Sequence, residues 1–157
     1  MGYTQPVIDE AVNHLKLYVN GFLTGIDPNQ AQIDSTNYFT SELSMPVRFP
    51  SCSVFVDGEV DVLEAETGPH FKILVPFLVV IDFQSSNQQH DQIYERGDNW
   101  NQAVINSLYN IDCSLNNVID RLQLTGIGFV PLDDDGGNVA SACYTRWLAY
   151  TTIDPKG

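Results

Sequence analysis

Residues 71–84, FKILVPFLVVIDFQ, constrain the fold of this chain more than any other stretch. Valine, isoleucine, leucine and phenylalanine dominate it, and β-branched and aromatic side chains pack well on a pleated surface, so it reads as a long strand. Phe71, Ile73 and Val75 alternate with Lys72 and Leu74, and the alternation then dissolves into Phe77-Leu78-Val79-Val80-Ile81. A strand apolar on both sides is expected at the centre of a sheet, covered on both faces. Pro76 lacks an N–H and would break a ladder bond, so it marks a bulge, or a point where the strand bends or leaves its partner. A buried helix segment is the competing reading.

The rest of the chain can be arranged around that strand. Residues 4–22 predict a helix: Thr4 is placed to cap it, Pro6 sits in the first turn, and Ile8, Val12, Leu15, Val19 and Phe22 form one apolar stripe. Gly25 and Pro28 end it. Residues 27–47 lose all periodicity and predict either a long loop or an arm that contacts another subunit. In residues 48–62, Val54 and Val56 alternate with Phe55, Asp57-Gly58 supplies a turn, and Val60 and Val62 resume the alternation. A second helix is expected from Gln92 to Tyr109, with Gly97 as its weak point. A third, shorter helix is expected after Ser114, on the spacing of Leu115, Val118, Ile119 and Leu122. Residues 124–132 and 139–152 predict a hairpin joined by the turn sequence Asp133-Asp134-Asp135-Gly136-Gly137-Asn138. The expected fold is therefore α+β in a single domain spanning 1–157. A mostly antiparallel sheet of about four strands carries the N-terminal helix and two central helices.

Charge limits the partners. Twenty acidic residues stand against seven lysines and arginines, a formal net charge of -13, which disfavours direct binding to nucleic acid or an anionic membrane. No apolar run approaches the length of a membrane helix, and the opening MGYTQPVIDEAV lacks the pattern of a signal peptide, so a cytoplasm-like compartment is the expectation. Cys52, Cys113 and Cys143 belong to no CxxC pair and read as buried free thiols. Asp57, Glu59, Asp61, Glu64 and Glu66 form an acidic cluster whose first three members would share one face of a strand. Such a cluster suits solvent or a basic partner better than a metal. Arg48, at a strand start, and Arg146, between Tyr144 and Leu148, read as interface or anchoring residues.

Motifs for chemistry are sparse. Gly126-Ile127-Gly128 lacks the remainder of a phosphate loop, and no GxSxG, HExxH or CxxC occurs. The oxygens of Asp133, Asp135 and Asn138 lack the trailing glutamate of a calcium loop. Asp82 at a strand end, with Glu64 and Glu66 upstream, resembles the layout of metal-dependent nucleases, but Gln84 and Ser85 stand where a lysine or a further carboxylate is needed. No catalytic, cofactor-binding or metal-binding residue is assigned.

Taken together, four features resemble the tail terminator (tail completion) proteins of tailed bacteriophages. They are the amphipathic N-terminal helix, Arg48-Phe49-Pro50 leading into SVFVDGEV, the VPFLVVIDFQ strand with its polar loop and helix, and the final hairpin ending in RWLAYTT. The resemblance spans most of the chain and implies helices on an antiparallel sheet, no enzymatic activity and no cofactor. It also implies a hexameric ring that caps the tail tube, ends its polymerisation and joins the tail to the head connector or neck protein. The protein would reside in the virion tail or neck after assembly in the host cytoplasm. DNA would pass through the ring without being bound specifically, and Asp57, Glu59, Asp61, Glu64, Glu66, Arg48 and Arg146 would face the lumen or an interface. Another head–tail connector or completion protein, and a small acidic ligand-binding or adaptor domain, are the alternatives; a metal-dependent hydrolase is the weakest.

Overall fold

The computed structural model describes residues 3–41, 48–63, 71–86, 92–109, 115, 117–135 and 138–153. Their elements in chain order are α1 (Gln5–Ile26), β1 (Tyr38–Phe39), β2 (Ser51–Val56), β3 (Asp61–Leu63), β4 (Phe71–Ser86), α2 (Ile93–Leu108), β5 (Arg121–Asp135) and β6 (Asn138–Ile153). The strands form one sheet in the order β1-β2-β4-β6-β5, with β3 also paired to β4. This corrects the expected four-stranded, mostly antiparallel sheet with three helices: among the described residues there are six strands in a mixed sheet and two helices, although the class remains α+β. The mixed character comes from β1, which pairs parallel to β2.

The long strand is central, as its composition demanded. β4 pairs with β6 along its whole length, from Phe71↔Ile153 to Ser86↔Asn138. On its other edge, β2 covers Phe77 to Asp82 and β3 covers Lys72 to Leu74. Residues 48–62 thus run along one edge of β4, with an excursion between β2 and β3. Pro76 lies opposite that excursion. The N–H of Asp57 donates to the carbonyl oxygen of Pro76 at 2.9 Å. In an antiparallel ladder a residue's N–H and C=O point to the same neighbour. The missing N–H of Pro76 is therefore directed at the excursion and not at the β6 ladder, which continues through Pro76↔Leu148 without a register shift.

Alternation divides the sheet into two unlike faces. Ile73, Val75, Phe77, Val79, Ile81 and Phe83 of β4, with Cys143, Trp147 and Ala149 of β6, are buried in one core cluster. The buried stripe of α1 (Val7, Ile8, Ala11, Val12, Leu15, Val19 and Leu23) and Trp100, Ala103, Val104 and Leu108 of α2 belong to the same cluster. Phe77 and Trp147 stack with ring centroids 6.4 Å apart. Cys52 and Cys143 are buried free thiols; Cys113 lies outside the described residues. Segment 27–41 is held by its own chain. Asn20 of α1 exchanges two 2.9 Å hydrogen bonds with the backbone of Ile33, and Gln30 reaches the carbonyl of Arg96. The N–H of Cys52 donates to the Asn37 carbonyl, starting the short β1–β2 ladder. Residues 42–47 lie outside the described residues.

Among the described residues no third helix appears where one was expected after Ser114. Leu115 and Asn117 have φ of 47° and 66°, in the left-handed region, and 117–120 turn directly into β5. Leu115 and Ile119, and Leu122 at the start of β5, are still buried, so their apolar spacing serves a turn and a strand start that plug the core. Gly97 in α2 has a steric reason. A Cβ there would lie 2.3 Å from Cε1 of Phe129, whose ring stands edge-on to Tyr94 at 5.3 Å. Gly97→Ala should therefore lose stability by about 1 kcal/mol, as overpacking outweighs the helix propensity gained. Urea unfolding checks this, and adding Phe129→Leu should recover most of the loss. A more stable single variant would mean that the ring does not rest on the helix.

Candidate functional site

The second face of the sheet carries the even-numbered residues of β4 and β6. Leu74, Leu78 and Val80, with Tyr144 and Leu148, are only half-buried there, whereas their odd neighbours are fully enclosed. Both described helices contribute their buried stripes to the odd-numbered core, so among the described residues no helix covers this face, where the central strand was expected to be covered on both sides. Register sets three rows of side chains across this face. Ser51, Asp82, Ala142 and Val130 form one; Ser53, Val80, Tyr144 and Gly128 the next; Phe55, Leu78, Arg146 and Gly126 the third. All of these except Ser51, Gly128 and Gly126 line an open trough of about 530 Å³, together with Val56 and Asp57.

Glycine gives the trough its width. A Cβ on Gly128 would meet the Tyr144 ring at 2.4 Å, so the ring leans across β5 only because that position is bare. The floor is Phe55, Leu78, Val80 and Ala142, with Val130 at the β5 rim. One end is closed by an ion pair, Arg146 Nε to Asp57 Oδ2 at 2.8 Å, with the guanidinium 5.8 Å from the Tyr144 ring. Both partners keep access to solvent, so the pair contributes under about 1 kcal/mol. Its position is more telling, since it ties the excursion beside Pro76 to β6.

Asp82 occupies the other end. It is 8 % exposed and has no hydrogen bond or ion pair among the described residues. Four residues of strand, roughly 14 Å at about 3.4 Å per residue, separate its row from that of Arg146. Burial pushes its carboxyl up to about 6. Its cross-strand neighbour Ser51, and Ser53 two residues on, are each 1 % exposed, and their hydroxyl oxygens find no partner among the described residues. On the opposite face, burial raises the Cys52 and Cys143 thiols, with the Asp82 charge adding to the effect, so both stay protonated near neutrality. Among the described residues, no three His, Cys, Asp or Glu side chains converge as a metal site.

The residues marked in the sequence separate differently. Arg146 and Asp57 meet, as described. Glu59 is exposed in the excursion, and Asp61 is exposed on β3 opposite Leu74. Asp57, Glu59 and Asp61 therefore do not share a strand face, because Gly58 at φ 104° turns the chain between them. Arg48 is exposed, and its charge is a minor influence on Asp34, whose carboxyl is lowered mainly by hydrogen bonds from Thr36. Glu64 and Glu66 lie outside the described residues. Sequence reasoning noticed Asp82 but not its company. The signal was the polar alternation Ser51-x-Ser53 in an otherwise apolar strand that pairs with it.

No family model matches the chain, and no curated protein matches it. Among solved structures, a chain from the virion of a native gene transfer agent particle aligns over 87% of this chain and 94% of its own length, with a TM-score of 0.30 and 11% identity. A likeness that low carries no argument about fold or function.

The raised Asp82 carboxyl has a defined consequence. An acid whose folded value lies above its unfolded one stabilises the fold below the unfolded value, and that contribution is lost as pH rises through the folded value. Asp82→Asn should leave stability unchanged below about pH 4 and raise it by about 1 kcal/mol above pH 7, allowing for water in the open trough. Denaturant titrations of both proteins at the two pH values test this. A gain that is the same at both would mean that charge burial is not its cause.

Proposed function

We propose that this chain is a structural subunit of a tailed-phage particle, a tail terminator that closes into a ring on the tail tube, ends its growth and meets the head connector. The observation that carries the proposal is the free edge of β5. Among the described residues this 15-residue strand pairs only with β6. Ile127 and Val130 stand 55% and 45% exposed along it. A long, uncovered apolar edge invites a neighbouring chain to pair with it. Irregularities between Leu124 and Gly126 and between Pro131 and Asp134 confine regular pairing to the stretch between them. One edge meeting a different surface on the next copy is a heterologous contact, and such contacts close into a ring where the rotation between copies closes. The sequence resemblance supplies the identity of the ring. A net charge of -13 suits a wall past which DNA moves without sticking. In this role the protein needs neither catalytic group nor cofactor.

A second reading, a ligand-binding or adaptor domain, draws on the trough, whose volume and mixture of apolar floor and polar groups fall within the range of ligand sites. Assembly separates the two readings. Native mass measurement and imaging of the free protein and of particles should show a six-fold ring at the tube end, and particles lacking the chain should carry tails of uncontrolled length. Ile127→Lys should fold normally, within about 0.5 kcal/mol of the parent, yet join particles poorly. A monomer in both settings, with normal tails in its absence, would sink the ring. Incubation with single- and double-stranded DNA plus magnesium or manganese should give no cleavage. Turnover that vanishes in Asp82→Asn would replace the structural role with an enzymatic one.

A further inference from the structure

We infer that the trough is a socket for one lysine or arginine side chain on an apolar segment of a partner protein, with Asp82 as its counter-ion and Ser53 as an additional hydrogen-bond acceptor. The inference rests on the reading of this chain as an assembly subunit, though the trough shares only Val130 with the exposed residues of the β5 edge. Three observations converge on it. Asp82 lines the trough while more than nine-tenths buried, and no group of its own chain among the described residues answers its charge. Ser53, in the adjoining row, lines the same space with a hydroxyl that has no partner among the described residues. Between these groups and the Asp57–Arg146 pair runs a floor of Phe55, Leu78 and Val80, on which an alkyl stem and its apolar neighbours can lie.

Chemistry selects the occupant. An anion would meet an uncompensated carboxylate, and a divalent metal would find one carboxylate where it needs several oxygens. A neutral apolar segment would bury Asp82 completely and leave its charge without a partner. A cation on an aliphatic stem satisfies the acid and covers the floor together. The partner is taken to be a different, more basic protein on grounds of charge, because a second copy brings a further -13. Three of this chain's own cations are also engaged already: Lys16 over Tyr38, Arg121 over Tyr150, and Arg146 on Asp57.

The test uses the full chain and a capped peptide, TVTKTVT, beside its counterpart with norleucine in place of lysine. Amide NMR titrations should show shifts concentrated at residues 51–55, 78–82 and 142–146. The lysine peptide should bind about tenfold tighter than the norleucine peptide, the usual size of a charge-assisted hydrogen bond. Asp82→Asn should bring the two peptides level, whereas Asp61→Asn, which removes an exposed acid outside the trough, should not. Equal affinities in the parent, or lysine-dependent shifts that are scattered over the surface and survive Asp82→Asn, would overturn the socket. Shifts of the same amides on concentrating the protein alone would assign the trough to a second copy and overturn the partner. The titration reads the free protein, so failure of the ring would leave its result standing, and failure of the socket would leave the ring untouched.

Discussion

The unbroken antiparallel ladder between β4 and β6 decides where every other part of the molecule can go. Both strands are 16 residues long and pair from end to end without a shift. Slipping one strand by a residue would turn Lys72 and Asp82, or Arg146, towards the helices, and Phe77 or Trp147 out of the core. The cost of that exchange pins the register. Once it is pinned, the odd-numbered side chains form the surface on which α1 and α2 must lie, and β2 must bring Cys52 and Val54 to the same side. The three rows of the trough follow from this ladder and its neighbours, without any device of their own.

Pro76 shows how a local defect is absorbed in such a frame. Its ring cannot donate to a ladder, and the partner edge responds by leaving the sheet for Asp57 to Val60 before β3 rejoins it. The excursion is anchored twice, by the Asp57 N–H on the Pro76 carbonyl and by the Asp57 carboxylate on Arg146. One basic side chain on the uncovered face is therefore already committed to the fold.

Much of this architecture was legible in the sequence because burial imposes a period. The stripe of α1, the core-facing side of α2, the central place of residues 71–84 and the final hairpin all announce themselves through alternation or 3.6-residue spacing. Failures came where period and geometry part company. Leu115, Ile119 and Leu122 keep a helical spacing although Leu115 and Asn117 are left-handed and Leu122 lies in β5, since a turn leading into a strand can also point such side chains inward. β1 is two residues long and exists through Asn37 and its contact with Cys52, too short to leave a pattern. The trough was hidden for a deeper reason. Leu78 and Val80 look the same whether the protein covers them itself or leaves them for another molecule, so apolar sequence on both faces of β4 was taken for two covered faces.

That ambiguity bears on why Asp82 stands where it does. A chain selected only for the stability of its isolated fold has little reason to hold a carboxylate that is 8 % exposed beside two hydroxyls that find no partner among the described residues. Nor would it leave half-buried leucine and valine on the middle of its central strand when the same positions could be polar. Each feature alone is a modest penalty. Both occur on one face, within one set of cross-strand neighbours, and a single covering surface that is apolar with one cation would remove them together. Local inconsistency of this kind is what a functional surface is expected to show, and it is the ground on which the socket is proposed.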